Sequence, residues 1–540
     1  MSWIGEEPVP TKPRMLPSQM QAVSLAKLNA PTQPQGPLPQ APRPPRPPRQ
    51  PRAPREQRPA KRKESSGLEE SEESGIEEVS AFDLSAEQKS VLHAMQSGKS
   101  IFFTGCAGTG KSFTLQLLAK AKQGMGIYFT AMTGVAASLL PNATTLHSFA
   151  GIGQGTGTPE VIVSKVLSNR VATERWLECE TLVIDEVSML SRDLFEKLDH
   201  IARCLRKGRQ HLPFGGIQLI LCGDFFQLQP VSQTSDKSCC FESPLWEKTI
   251  KEHIELKTVF RQKDVKLVKV LGEVRYNKLS EESIALLNSL RRTLQCPPGI
   301  SPTVLTPFNQ AADRINEAKL NGLKSDQFFR YECKDGGSDL NMVSNLEKMT
   351  TFPTSLPLKI GAQVMLLKNQ SQSDLVNGSC GVVVEFKPAN ANDVGMLLGK
   401  DVKTQLRPET MLPVVRFANG ITAMIGLDVF KVESSVPGGH DRARREQLPI
   451  RLAWAITVHK AQGMSIDYLQ VDLRSVFEAG HAYVALSRAR SIDGLQILSF
   501  DPKKCWCDPK VVEFYRKNLG HDDDPAAKKQ KVGEGVIDLD

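Results

Sequence analysis

The chain has 540 residues, 40% hydrophobic and 24% charged, with a net charge of +8. Its length exceeds what one hydrophobic core organises, so two or more domains are expected. It has no apolar run long enough to cross a bilayer, which argues against membrane insertion; the mild basic excess permits a phosphate-backbone partner without requiring one.

Residues 1–80 read as disordered. Sixteen of the 35 prolines fall in the first 60 residues, and such a segment buries too little apolar surface to offset its ordering entropy. Glu6 and Glu7 argue against a secretory signal and, less firmly, against an acid-poor mitochondrial transit peptide. Arg43, Arg46, Arg49, Arg52, Arg55, Arg58 and Lys61 recur every third residue. In polyproline II, with three residues per turn, these cations line one face of a rod. Two readings of residues 42–60 stand side by side. One is a stripe for nucleic-acid phosphates or a ligand for a PxxP-reading domain; the other is a solubilising tail with a nuclear address at Lys61, Arg62 and Lys63. The acidic run Glu69 to Glu78 reads as linker, with Ser66 and Ser74 open to phosphorylation. The eleven cysteines form no CxxC pair and no zinc spacing, which fits reduced thiols in the cytosol or nucleus; Cys505 and Cys507 beside Trp506 do not complete a metal shell.

From about residue 81 apolar strand-like runs (SIFFTG, GIYFTAM, TLVIDE, IQLILCGD) alternate with helical stretches. This predicts an α/β fold with a parallel sheet covered on both faces. GCAGTGKS, Gly105 to Ser112, follows one such strand and opens a helix, the context a phosphate-binding loop demands. Gly105, Cys106, Ala107, Gly108, Thr109 and Gly110 would wrap the phosphates of ATP. Lys111 would reach the β/γ oxygens, and Ser112 would hold Mg²⁺.

The strand TLVIDE ends in Asp185, a Mg²⁺ ligand candidate, and Glu186, a candidate base for the attacking water. Asp224 and Gln227 follow the strand IQLILCGD, at the end where open α/β sheets bind ligands. Gln227 suits γ-phosphate sensing or positioning of the water. Arg261 and Arg488 suit the transition-state charge, although spacing alone allows either to be a surface arginine. Short β-type runs with Gly/Asn turns over 356–386 and 412–425 predict a small β-barrel inserted in a second α/β domain, or else a buried parallel strand pair.

In order, LSAEQKSVL, GCAGTGKS, TAMTGVAAS, TTLHSFAGIG, VIDEVSML, GDFFQLQPV, TVFRQ, AITVHKAQGMSID and YVALSRAR resemble the motif set of superfamily 1B helicases. The resemblance is to the petite-integration-frequency (Pif) family of DNA helicases. DLFEKLDHIARCLRKGRQHLPFGG, Asp193 to Gly216, is similar to that family's signature segment. LKIGAQVMLLKN with LVNGSCGVV is similar to its inserted β domain. Gln229 stands in GDFFQLQPV where many members have proline, which bears on loop stiffness.

The resemblance covers about residues 81–519. It implies two RecA-like P-loop NTPase domains: 81–262, with a small insertion about 146–170, and 263–519, carrying an SH3-like β domain about 330–447. It implies 5′-to-3′ translocation on single-stranded DNA, unwinding of forks, RNA–DNA hybrids and G-quadruplexes, and work in genome and telomere maintenance. It implies adenine reading by Gln88, and DNA contact or coupling by Thr133, His147, Thr457, His459, Lys460 and Tyr483. His147 and His459 also admit a purely structural reading. A monomer acting in the nucleus, with a mitochondrial share, is the expectation.

Residues 520–540 read as a loose tail. Lys528, Lys529 and Lys531 suit a nuclear signal. Val536, Ile537 and Leu539 alternate with acids as in segments that add a strand to a SUMO edge, a pattern common by chance. Two rival functions remain: a single-stranded-DNA-stimulated translocase that strips proteins or anneals strands, and an inactive scaffold recruited through its tails.

Overall fold

The computed structural model describes residues 84–121, 126–230, 237–262, 264–369, 375–389, 397–398, 409–432, 440–475 and 478–520. The expectations for the Arg/Pro stripe at 42–60, the acidic linker, the lysines at 528–531 and the segment 536–540 lie outside these residues.

Six strands build the first lobe: β1 Ile101–Gly105, β2 Ile127–Ala131, β3 Thr144–Thr145, β4 Thr181–Asp185, β5 Gln218–Cys222 and β6 Glu252–Leu256. They pair in parallel in the order β3-β2-β4-β5-β1-β6. Strands covered on both faces need continuous apolar runs, and β1 and β4 are buried throughout. The order has a functional consequence. Since β5 lies between β1 and β4, the loops leaving these three strands are neighbours at one edge of the sheet. Those loops carry the glycine run, Gln227 and the paired acids.

Helix Arg192–Leu205 buries Leu194, Phe195, Leu198, Ile201, Ala202 and Leu205, a helical stripe facing the core. The rest of the family-signature stretch makes a clasp. Phe214 is held at φ 51 and Gly215 at φ 57. The Phe214 N–H donates to Asp199 Oδ1 at 2.7 Å, and its ring packs 5.0 Å from Phe195. Buried Arg206 donates to the carbonyls of Trp176, Leu177 and Cys179, satisfying the end of helix Arg170–Glu178.

The second lobe has a four-stranded parallel sheet in the order Ala455–Thr457, Thr303–Thr306, Leu469–Asp472, Leu495–Ser499. Inserted in it is a largely antiparallel region. One sheet orders strands Leu397–Leu398, Thr422–Ile425, Met411–Phe417, Cys380–Pro388, Gln363–Leu366 and Ile450–Leu452; two smaller sheets flank it. Leu358, Val364, Val383, Val414 and Ile425 fill a core of its own.

The division at residue 262 expected from the sequence does not describe the packing of the last helix. Pro509–Leu519 follows the second lobe in the chain, yet it closes the first. Phe514 stacks on Phe241 at 4.4 Å and meets Phe225 edge-on at 5.5 Å, while the Tyr515 hydroxyl bonds Thr104 Oγ1 of β1 at 2.7 Å. Apolar burial decides this: Phe514 completes an aromatic cluster that Phe102, Phe225, Phe241 and Trp246 begin in the first lobe.

Candidate nucleotide site at the seam of two lobes

The loop after β1 is shaped by glycine. Gly108 and Gly110 adopt φ 88 and 82, which side chains disfavour. A Cβ on Gly108 would fall 2.5 Å from Gln262 Oε1, and one on Gly110 3.0 Å from Gln88 Nε2. Both neighbours are site residues, so the glycines also admit the residues that flank the nucleotide. The Phe260 and Arg261 N–H groups donate to Gly108 O at 2.8 and 3.2 Å, seating segment 260–262 on the loop. Lys111 Nζ donates to Gly105 O (2.7 Å) and Cys106 O (3.0 Å), which holds the ammonium over the loop. Ser112 is exposed at the start of helix Lys111–Ala121, and Thr109 Oγ1 donates to Cys106 O. Burial pushes the Cys106 thiol up, away from thiolate reactivity. Gln88 is buried in a reciprocal cap with Ser85, its Oε1 accepting from Ser85 N at 3.0 Å.

The two acids occupy unequal environments. Glu186 N–H donates to Asp185 Oδ1 at 2.8 Å, and burial raises Asp185. Glu186 sits at φ 55, a backbone conformation costing about 1–3 kcal/mol that turns its side chain off the strand direction. Burial first, then the Asp185 charge, pushes its carboxyl up to about 7, the range suited to a base at neutral pH. Glu186 Oε2 is sealed from solvent with no hydrogen-bond partner among the described residues. A hard divalent cation takes oxygen ligands. The Asp185 carboxylate, the Ser112 hydroxyl and this orphaned oxygen, with Lys111 close to Asp185, fit Mg²⁺ with a triphosphate.

Both arginines reach this point. Arg261 leaves the end of the first lobe and donates from Nη2 to Gly463 O of the second at 3.3 Å. Arg488 is buried on the second lobe; its Nε donates to Val484 O (3.0 Å) and its Nη2 to Ser487 Oγ (2.7 Å). Burial, then Arg261, pulls Arg488 down, while Glu186 opposes this. Two guanidiniums and one carboxylate thus share a small desolvated volume. Gln262 Nε2 donates to Ser487 O and Ala489 O across the same seam. Gln227 is buried nearby, and a Cβ on Gly480 would fall 2.6 Å from its carbonyl oxygen.

A second network escapes sequence reasoning. Asp224, placed with Gln227 at the ligand-binding edge, is consumed by structure. Arg275 donates to it from Nε (3.1 Å) and Nη2 (2.9 Å), and the Tyr515 hydroxyl donates at 3.2 Å. Arg275 also lies over the Phe226 and Tyr515 rings at 4.4 and 5.1 Å. These partners are 51 and 291 positions from Asp224, and no spacing signals them.

The residues expected at DNA fall in separate places. Thr133 caps helix Gly134–Ser138, its Oγ1 accepting from Ala136 N at 3.1 Å. Leu139, closing that helix, lies 3.4 Å from where a Gly463 Cβ would stand, so the helix abuts the turn carrying His459 and Lys460. Thr457 is buried and accepts from Lys460 N at 3.3 Å. Burial and the adjacent Arg451 pull Lys460 down, and burial also lowers His459. His147 is half-buried on helix Leu146–Ala150, beside Gly155. Tyr483 requires a correction. It is 2% exposed and lies under the phosphate loop, so a DNA contact is closed to it.

Among the described residues no helix is long and apolar enough to cross a membrane. The profile of the PIF1-like helicase family matches residues 83–281, and that of the DNA helicase Pif1 2B domain matches 344–386. The chain is 40% identical over 465 residues to the ATP-dependent DNA helicase PIF1 of Homo sapiens, spanning 84% of this chain and 68% of that protein. It resembles the crystal structure of Bacteroides sp. Pif1 in complex with ADP-AlF4 with a TM-score of 0.66 at 26% identity, covering 81% of this chain and 98% of that one. It resembles Bacteroides Pif1 bound to single-stranded DNA with a TM-score of 0.55 at 26% identity over the same shares. With its phosphate loop, acid pair and arginines meeting at one seam, this chain belongs to the PIF1-like family of ATP-dependent DNA helicases.

Proposed function

We propose that the chain translocates 5′ to 3′ along single-stranded DNA at the expense of ATP and unwinds forked duplexes, RNA–DNA hybrids and G-quadruplexes. One observation carries the reading. Arg261 and Arg488 approach Glu186 from different lobes, so the transition-state charge is fully met only when the seam is closed. Asp185 and Ser112 would hold Mg²⁺, which would supply charge neutralisation at the transferred phosphoryl. Glu186 takes the proton of the attacking water, Lys111 leaves the Gly105 and Cys106 carbonyls for the phosphates, and Gln227 orients the water.

Coupling to DNA runs through contact between lobes. The helix capped by Thr133 abuts the turn of His459 and Lys460, so closure of the seam alters the grip of both on a strand. Opening one base-pair step costs about 1.4 kcal/mol, a modest load for one nucleotide per ATP. Action in the nucleus, with a share in mitochondria, and work as a monomer belong to the same proposal.

The deciding experiment offers forks with a single-stranded tail of one polarity. Unwinding of the 5′-tailed fork alone, with ATP turnover stimulated by single-stranded DNA, is the expected result. Unwinding of only the 3′-tailed fork, or turnover indifferent to DNA, would overturn it.

A further inference from the structure

The side chains of His459, Glu478 and His481 converge. One ligand-type atom from each lies within 4.8 Å of the other two. The imidazole rings are 5.6 Å apart and meet edge to face at 74°. Local backbone builds the pair: the His481 N–H donates to Glu478 O at 3.3 Å, closing a turn, and Gly480 inside it adopts φ 76. Glycine is required there, since a Cβ would fall 2.5 Å from Phe226 O. His459 arrives from the turn after strand Ala455–Thr457. Turn geometry thus sets the i and i+3 side chains on one side, and the sheet edge supplies the third.

We propose that His459, Glu478 and His481 form a binding site for a divalent transition metal, best suited to Zn²⁺. Two imidazoles and one carboxylate are the ligands zinc takes where three protein groups leave a fourth position to water. Imidazole also favours Zn²⁺, Ni²⁺ or Cu²⁺ over Mg²⁺ and Ca²⁺. Tetrahedral bonds of about 2.0–2.1 Å set donor atoms about 3.4 Å apart. Side-chain rotation has at most about 1.4 Å to close, with no backbone change.

Occupancy has a consequence that rests on the helicase reading above. Glu478 pairs with Lys237 of the first lobe at 3.4 Å, and His459 shares its turn with Thr457 and Lys460. A metal that recruits Glu478 and His459 together loosens the Lys237 tie between lobes and fixes the turn that meets DNA. Zinc therefore acts as an inhibitor of DNA-stimulated turnover.

The test titrates Zn²⁺ into the chelator-stripped full chain in excess Mg²⁺ by calorimetry, with Co²⁺ visible absorption reporting a tetrahedral nitrogen/oxygen site. His481→Gln and Glu478→Gln are compared with the natural chain; His481→Gln, which leaves the Lys237 tie in place, is expected to keep its metal-free ATP turnover, and Glu478→Gln is read for zinc affinity. The eleven cysteines give a background common to all three proteins. The expected result is one further equivalent in the natural chain, weakened at least about tenfold in either variant, and zinc inhibition lost in parallel. Equal zinc stoichiometry and affinity in all three proteins would overturn the site. Should the natural chain bind zinc in this way yet lack DNA-stimulated turnover, the metal site stands and the helicase reading falls.

Discussion

The hydroxyl of Tyr483, on the second lobe, accepts a hydrogen bond from the Ala107 N–H inside the phosphate loop at 2.8 Å and donates to Asp224 at 3.3 Å. The loop that wraps ATP is therefore tied to a helix 376 positions away. The same helix carries the start of the segment that ends in Arg488. Phosphate contact and arginine placement share one rigid connection, which gives the seam a mechanical basis.

Tyr483→Phe removes that connection while keeping the ring. A buried amide without a partner costs about 1–3 kcal/mol. The variant is expected to lose stability on that scale in urea unfolding and to raise the KM for ATP. Its affinity for single-stranded DNA without nucleotide should be unchanged. A loss of DNA affinity with an unaltered KM would restore the DNA-contact role that burial denies it.

Glu186 offers a test whose sign is fixed by linkage. Its ordinary value is 4.5, and the fold lifts it to about 7. The folded chain therefore holds the proton more tightly, and stability declines as pH rises from about 4.5 to about 7. Glu186→Gln removes this penalty. Without nucleotide or metal, it is expected to gain about 3 kcal/mol at pH 8 and nothing at pH 4, read from unfolding midpoints. The same substitution should lower ATP turnover by about 10²–10⁴-fold, as expected for loss of a general base. In the natural chain, turnover should fall on the acid side near pH 7.

What the sequence disclosed and what it hid follows from distance along the chain. Gly105 to Ser112, Asp185 with Glu186, and the burial of β1 and β4 rest on spacing within one strand and its loop, so pattern alone finds them. Tyr483 stands in a short helix whose residues are all buried, and nothing in YVALSRAR says which partner its hydroxyl takes. Tyr515 reads as one residue of an amphipathic helix, yet it bonds Thr104 411 positions away. The pairing of His459 with His481 depends on a turn meeting a sheet edge, and no metal-ligand spacing exists to reveal it.

Lys111→Ala and Arg488→Ala separate binding from chemistry. The Lys111 ammonium donates to loop carbonyls, and the Arg488 guanidinium donates to Val484 O and Ser487 Oγ. Both variants should retain single-stranded DNA binding in fluorescence anisotropy. Lys111→Ala should lose DNA-stimulated turnover altogether. Arg488→Ala should still bind nucleotide but hydrolyse it roughly 10³-fold more slowly. Fork unwinding by Lys111→Ala in the presence of ATP would place the ATP site elsewhere.

The Arg275–Asp224 pair separates fold from catalysis. Both side chains are buried, and the pair is held by two hydrogen bonds with Tyr515 donating to the same carboxylate. Arg275 keeps the Asp224 carboxyl below its ordinary range despite burial. Removing the guanidinium strands a buried charge, so Arg275→Leu is expected to cost about 3–5 kcal/mol. Replacing both partners removes the stranded charge too, so Arg275→Leu with Asp224→Leu should cost less than the single variant. Stability of Arg275→Leu should recover as pH falls towards about 4, because the unpaired buried carboxyl takes its proton above the ordinary Asp range. Unfolding midpoints of the single and double variants across pH 4 to 8 measure all of this. If the double variant is the less stable of the two at pH 7, Asp224 has a role at the nucleotide beyond its pairing with Arg275.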